Sequence, residues 1–185
     1  MDAHFVLDHN FPWQVTKLPW PEHLRLTRLA AYDASLIQHY DDWQILDALN
    51  RRGDVDGFIT NDANILQLPR EMVVLSGTRL TLVVADGVGH DPIRATGLVM
   101  LYLGHIVHRL SHRAQIFTLR PGDLGRYQSS PAKQIDRLAD HQNIAPPELI
   151  AREREQLAVF PRESSPLLPA GEGRGEGDSR AADAG

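Results

Sequence analysis

Short apolar runs alternate along the chain with longer segments in which apolar residues recur at helical spacing. The short runs predict buried strands at residues 4–8, 57–60, 80–85 and 115–119. The strand at residues 115–119 is predicted to close the sheet. Residues 24–29 alternate apolar and polar side chains, which predicts a half-buried strand near a sheet edge. Helical spacing predicts helices over residues 42–52, stopping at Gly53, and over residues 92–112, with Pro92 in the first turn. Because strands separated by helices pair in parallel, the pattern predicts a three-layer α/β/α domain with a central, mainly parallel sheet.

The periodic signal weakens after residue 121. Residues 131–158 could form one or two helices, interrupted at Pro146 and Pro147. From Arg162 onward the chain is rich in Gly, Pro, Ser and Glu, a composition that predicts disorder. The predicted organisation is therefore a domain, a helical extension and a disordered tail, over residues 1–121, 122–161 and 162–185.

An aspartate stands at the edge of three predicted elements. Asp8 and Asp62 follow strands, and Asp42 opens the helix over residues 42–52. Ligands collect at the carboxyl ends of parallel strands, and the helix would point Asp42 toward the same rim. Two carboxylates about 4 Å apart repel by roughly 4 kcal/mol at an effective dielectric constant of about 20, so a cluster of three favours a bound cation. Ligands that are all oxygen suit Mg²⁺ or Mn²⁺, which commonly act on phosphate substrates.

These polar residues also have simpler structural interpretations. An Asp at a strand end can cap a turn or a following helix, and for any one site alone that explanation is favoured. Asp41 and Asp42 compete for one role, so that one caps the helix and the other is the ligand. Asn64 could coordinate a metal through its side-chain carbonyl or cap the helix that follows. Asp86 precedes Gly87 and could reach the metal rim or only shape a turn.

The residues around the three aspartates form the segments Leu7-Asp8-His9-Asn10, Asp42-Trp43-Gln44-Ile45-Leu46 and Thr60-Asn61-Asp62-Ala63-Asn64. Together these segments resemble the motifs of compact PIN-like domains, the ribonuclease fold used by VapC-type toxins. The resemblance covers roughly residues 4–120. In that family an Asp ends the first strand, an Asp begins the central helix, and a further polar run ends the next strand. Three matches in this order favour a metal site over three separate caps.

The resemblance implies a ribonuclease that hydrolyses RNA phosphodiester bonds with the help of Mg²⁺ or Mn²⁺. The implied metal ligands are Asp8, Asp42, Asp62 and Asn64, and the three aspartates are the implied catalytic residues. The family pattern favours Asp42 over Asp41 as the ligand. The resemblance further implies the toxin of a type II toxin–antitoxin pair, whose partners are the RNA substrate, a cognate antitoxin protein and a second copy in a homodimer.

Two features of the chain depart from the family pattern. Larger PIN nucleases carry an additional acidic residue between the first strand and the central helix, and here only Glu22 or Asp33 could take that place. The last motif offers Asn64 where the family has a second Asp. The alternative prediction is therefore a non-catalytic PIN-like module that binds RNA or a protein and whose metal site is degenerate.

Composition narrows the class of protein further. The chain has 185 residues, of which 42% are hydrophobic, which is enough for one good core. It contains no cysteine, which excludes disulfides, thiolate metal sites and cysteine nucleophiles. No apolar run reaches the 18 or so residues that span a bilayer, and no signal peptide is evident at the N-terminus. We therefore expect a cytoplasmic protein without a membrane partner.

The net charge of −5 argues against a wholly basic nucleic-acid binder, but the charge is unevenly distributed. Residues 92–137 hold seven basic side chains against two acidic ones, an excess that could follow a phosphate backbone. Arg109 and Arg113 lie one turn apart on the predicted helix over residues 92–112, and we expect them to contact RNA. The simpler interpretation of the same residues is a solvated helix face and a loop.

Overall fold

A single six-stranded sheet forms the centre of the computed structural model, which describes residues 2–38, 40–88, 91–122 and 128–159. The strands are β1 (Ala3–Leu7), β2 (Leu24–Arg28), β3 (Gly57–Thr60), β4 (Thr81–Ala85), β5 (Gln115–Leu119) and β6 (Gln128–Ser129). Their order across the sheet is β2-β1-β3-β4-β5-β6, and every pair is parallel except β5 with β6. The predicted mainly parallel sheet is confirmed. The prediction that residues 115–119 close the sheet was wrong, because a two-residue antiparallel strand is too short to leave a pattern in the sequence.

Seven helices surround the sheet within the described ranges. They are α1 (Leu29–Tyr32), α2 (Ser35–Gln38), α3 (Asp42–Arg52), α4 (Pro69–Ser76), α5 (Pro92–Val107), α6 (Pro131–Gln142) and α7 (Pro146–Val159). Helix α3 ends as predicted at Gly53, whose φ of 72° lies in the left-handed region that glycine adopts without strain. Helix α5 ends five residues before the predicted residue 112, because the chain must turn back there to enter β5. No helix in these ranges is long and apolar enough to cross a membrane.

Hydrophobic side chains from the sheet pack in two layers, one on each face. One face is covered by α3, α4, α6 and α7, with Val6, Phe58 and Val84 facing that layer from the sheet. The other face is covered by α5 and by the 3-10 turn Trp13–Lys17, with Phe5 and Ile59 among the buried sheet residues. The predicted three-layer α/β/α fold is therefore confirmed.

The predicted helical extension packs against the rest of the domain. Ile135 and Leu138 of α6 and Leu149 of α7 are buried in the same apolar cluster as residues of α3 and α4. The two prolines expected to interrupt the helical region lie at the start of α7, where a proline is compatible with a helix. The predicted disordered tail, residues 162–185, lies outside the described ranges.

The strand order creates a switch point between β1 and β3. The chain moves from β1 to β2 on one side, then crosses back through α3 to β3 on the other side of β1. In open parallel sheets a crevice forms outside the carboxyl ends of the strands at such a point, and ligands bind there. The residues that immediately follow β1 and β3 are therefore the first place to look for a functional site.

Candidate functional site

The first side chain at the switch point is Asp8, which directly follows β1. Asp8 is only 4% exposed, so its carboxylate is shielded from solvent. Oδ2 of Asp8 accepts a hydrogen bond from Thr60 Oγ1 at 2.8 Å, and Oδ1 lies 2.8 Å from Nδ1 of His9. Each carboxylate oxygen can accept more than one hydrogen bond or ligand bond. The two contacts hold Asp8 in a fixed orientation at the edge of the sheet.

Asp62 is tied to Asp8 through the same threonine. The Thr60 hydroxyl donates to Asp8 and accepts a hydrogen bond from the backbone N–H of Asp62 at 3.0 Å. Oδ1 of Asp62 accepts from the backbone N–H of Asn64 at 2.9 Å, so Asp62 caps the 3-10 turn Ala63–Gln67. The structural role weighed for Asp62 is thus present. The cap uses Oδ1, so Oδ2 can take a second partner.

Asp41 and Asp42 divide the two roles for which they compete in the sequence. Asp41 is exposed at the N-cap position of α3, and its N–H donates to Gln44 Oε1 at 2.8 Å. Asp42 lies in the first turn of α3. Burial, reinforced by the nearby charges of Asp8 and Asp62, raises the pKa of Asp42 to about 6. The structure therefore brings Asp8, Asp42 and Asp62 close enough for their charges to interact.

A fourth carboxyl group, Glu71, lies near this cluster and was not identified from the sequence. Glu71 belongs to α4 and is buried, with 7% of its surface exposed. Burial raises its pKa, and the charge of Asp42 adds to that shift, while Arg70 opposes it. The only signal in the sequence was an acidic residue directly before an apolar helical run, which places it near the buried face of the helix.

Neither residue proposed to supply the family's additional acidic group joins the cluster. Asp33 forms an ion pair with Arg52 and accepts hydrogen bonds from Ser35. Glu22 is exposed and precedes β2, at the amino edge of the sheet. Unlike that of Asp33, the pKa of Glu71 is raised in part by the charge of Asp42, so Glu71 is the additional carboxyl group that the structure links to the cluster.

The two other polar candidates, Asp86 and Asn64, also lie at the carboxyl edge of the sheet, but each has other contacts than the three aspartates. Asp86 follows β4, and its Oδ2 accepts from Nε and Nη2 of Arg120, both at 2.6 Å. This ion pair gives Asp86 a structural partner. Asn64 lies in the 3-10 turn with an exposed side chain, and its backbone rather than its side chain contacts Asp62.

Arg109 and Arg113 lie at the opposite edge of the sheet from the carboxylates. Both follow α5 and precede β5, and the backbone carbonyl of Arg109 accepts from Gln115 Nε2 at 3.2 Å. Five residues of β5 separate this edge from the carboxyl edge, which corresponds to about 16 Å at about 3.3 Å per residue. The structure does not bring these arginines together with the three aspartates, and their contact with RNA stays a prediction.

The cluster has the chemistry of a divalent-cation site without a complete ligand shell. Within the ranges described, no group of three or more His, Asp or Glu side chains already surrounds one metal position. The donors are nevertheless carboxylate oxygens, and their mutual repulsion adds to the effect of burial in raising the pKa of Asp42. A cation would relieve that repulsion. Mg²⁺ is usually held by one or two carboxylates and keeps several waters, so the residues present fit such an ion.

Removing the Thr60 hydroxyl should weaken the site without removing any carboxylate. We expect Thr60→Val to lower metal affinity or activity by about 10- to 100-fold, because groups that orient ligands have effects of that size. Loss of its two hydrogen bonds, one buried and one partly buried, should also cost about 1–3 kcal/mol of folding free energy. Thr60→Ser keeps a hydroxyl and serves as the control. Equal Mn²⁺ affinity and equal cleavage rates in the two variants would contradict a positioning role for Thr60.

Comparison with known proteins adds little to this description. No family model matches the chain, and no curated protein matches it. A solved structure of a short chain dehydrogenase family protein from Francisella tularensis subsp. tularensis SCHU S4 aligns with 87% of this chain and 84% of its own, at 12% identity and a TM-score of 0.25. A similarity at this level supports no conclusion about fold or function.

Proposed function

We propose that this protein is a divalent-metal-dependent ribonuclease of the PIN-like type. The observation that carries the proposal is the convergence of Asp8, Asp42 and Asp62 at the switch point, where burial and then the charges of Asp8 and Asp62 raise the pKa of Asp42. Strongly perturbed carboxyl groups in a crevice are typical of functional sites. The resemblance of the three surrounding segments to PIN-like motifs supports RNA as the substrate.

In this proposal Asp8, Asp42 and Asp62 would hold Mg²⁺ or Mn²⁺, which would supply an activated water and offset negative charge on the scissile phosphate. The protein's own contribution is positioning. Thr60 fixes Asp8 and the backbone of Asp62 relative to each other through one hydroxyl. His9 contacts Asp8 and is nearly half exposed, so it can reach both the carboxylate and a molecule bound at the rim.

The biological role in the proposal is that of a toxin in a type II toxin–antitoxin pair, acting in the cytoplasm. This role rests on the motif resemblance alone. The competing proposal is a non-catalytic module that binds RNA or a protein. It is favoured by the cap that occupies one oxygen of Asp62 and by the lack of a preformed three-ligand cluster among the described residues.

Incubation of the purified 185-residue chain with a labelled single-stranded RNA tests the two proposals against each other. We expect cleavage with Mn²⁺ or Mg²⁺ and none with excess EDTA, because an ion is needed to offset charge on the phosphate. Mn²⁺ binding can be measured as the loss of the EPR signal of free Mn²⁺, which provides a readout independent of activity. Binding of RNA without cleavage at any divalent-ion concentration would support the non-catalytic module instead.

A further inference from the structure

A groove lies between β5, β6 and α6 and reaches the 3-10 turn that Asp62 caps. Its main part has a volume of about 500 Å³ and is lined by residues from the turn after Asp62, from β5 and from α6. A second pocket of about 400 Å³ shares Gln67, Gln134 and Arg137 with the first, so that the two form one continuous groove along α6. Pockets of this size accommodate parts of extended ligands.

Basic side chains dominate the charge of this groove. Arg120, Lys133 and Arg137 line its main part, and the last two lie one turn apart on the exposed face of α6. Arg120 is paired with Asp86, but in the part of the chain that the structure describes no acidic oxygen forms a salt bridge with Lys133 or Arg137. Asp140 lines the second pocket and offsets part of this charge. Two cations therefore remain for an anionic ligand.

The strand register connects the groove to the carboxylate cluster. Thr60 of β3 pairs with Val84 of β4, which pairs with Thr118 of β5. Asp62, Asp86 and Arg120 each lie two positions after one of these paired residues. Their backbones therefore lie in one row across the carboxyl edge of the sheet. β3 and β5 are two strand spacings apart, about 10 Å, a distance that a few nucleotides can span.

A hydrogen bond also ties the groove to the carboxylate cluster. Gln134 of α6 donates to the backbone carbonyl of Leu66 at 2.8 Å, within the turn that Asp62 caps. Helix α6 therefore keeps a fixed position relative to Asp62. An RNA strand bound along α6 would therefore pass next to the turn that Asp62 caps.

We propose that this groove binds the phosphate backbone of single-stranded RNA on one side of the cleavage site. The inference rests on the proposed ribonuclease function and adds the substrate path. Among the described residues, the lining of the larger pocket contains no aromatic side chain and offers mainly amide, hydroxyl and cationic groups, while His141 lines the second pocket. Recognition there is therefore by charge and is independent of base sequence. Arg109 and Arg113, at the far edge of the sheet, lie off this path.

Two matched double variants test the proposal. Lys133→Glu with Arg137→Glu alters the groove, and Arg25→Glu with Arg51→Glu makes the same change in net charge at exposed side chains of β2 and of the end of α3, which line neither pocket. The measured quantity is the affinity for a single-stranded RNA that is long enough to extend from the carboxylate cluster into the groove. The measurement is made in EDTA at several salt concentrations. We expect the groove variant to bind on the order of tenfold more weakly, with a salt slope flatter by about 0.7 for each lost phosphate contact, and the control to match the parent.

Milder groove substitutions and a short substrate complete the test. Lys133→Gln with Arg137→Gln should show the same loss in smaller degree, which separates lost charge from disturbed folding. Where the parent cleaves RNA, the groove variants should cleave a dinucleotide at the parent rate and long RNA more slowly. If the parent cleaves no RNA, the proposed ribonuclease function is contradicted. The RNA affinity measured in EDTA still shows whether the groove binds RNA. The inference would be overturned if the groove variants bound long RNA with the parent's affinity and salt slope. It would also be overturned if they lost binding to an acidic protein while their RNA affinity stayed unchanged.

Discussion

Asp42→Asn should abolish metal-dependent RNA cleavage and yet raise the melting temperature of the metal-free protein at neutral pH. Burial of the Asp42 carboxylate, together with the nearby charges of Asp8 and Asp62, raises its pKa to about 6. Asn is close to Asp in size but carries no charge, so the variant loses both the repulsion and the metal ligand. Opposite effects on activity and stability are typical of a functional residue that is held at the expense of folding free energy.

The pH dependence of stability gives this prediction a specific form. In the unfolded chain Asp42 titrates near its ordinary pKa of 3.8, whereas in the folded protein it titrates at about 6. Between these pH values the folded state holds a proton that the unfolded state has lost, so the contribution of Asp42 to stability falls as the pH rises through this window. The melting temperatures of variant and parent should be similar near pH 4 and should diverge up to about pH 7.

The neighbouring aspartate provides the control for this experiment. Asp41→Asn keeps a residue that caps helices well and should leave cleavage and the pH dependence of stability close to those of the parent. Added Mn²⁺ should raise the melting temperature of the parent above pH 6 and that of Asp42→Asn much less, since binding to the folded state stabilises it. A difference in melting temperature that is the same at pH 4 and pH 7 would contradict the assignment.

Elements with strong local signals could be predicted from the sequence. Strand β3 and helix α3 appear where expected because Phe58 and Ile59 are fully buried and because Gly53 ends the helix in a conformation that few other residues adopt. The proximity of Asp8 to Asp62 could also be predicted, because Asp8 directly follows β1, Asp62 comes two residues after β3, and these adjacent parallel strands end at one edge. Local patterns and sheet geometry agree at these positions.

Features that depend on distant packing could not be predicted. Helices α1 and α2 have four residues each, which is about one turn and too short for a period to be seen. Glu71 and Asp42 are 29 positions apart in the chain and meet only because α4 packs beside α3. The basic groove likewise combines Arg120 with Lys133, which belong to different elements. The charge count over residues 92–137 found the excess of basic residues, but it could not show which of them share a surface.

The helical extension should contribute strongly to the stability of the whole domain. Leu149 of α7 is fully buried in the cluster that includes Ile135 of α6 and Met72 of α4. Leu149→Ala would leave a cavity there, and we expect it to lower the free energy of unfolding by about 2–5 kcal/mol. Val159 at the end of α7 is 79% exposed, so Val159→Ala should change stability by less than about 0.5 kcal/mol.

Urea unfolding, monitored by circular dichroism and by tryptophan fluorescence, shows whether the helical extension and the rest of the domain unfold as one cooperative unit or as two. The three tryptophans, Trp13, Trp20 and Trp43, all precede β3, far along the chain from α7, so their fluorescence reports on the part of the domain that carries Asp42. If the extension and the rest of the domain share one core, Leu149→Ala should move both signals to the same lower urea midpoint with a similar slope. A fluorescence midpoint that stays at the parent value while part of the helical signal is lost earlier would show that α6 and α7 unfold separately. In that case the groove along α6 would open without disturbing the carboxylates, and RNA affinity would fall before metal affinity does.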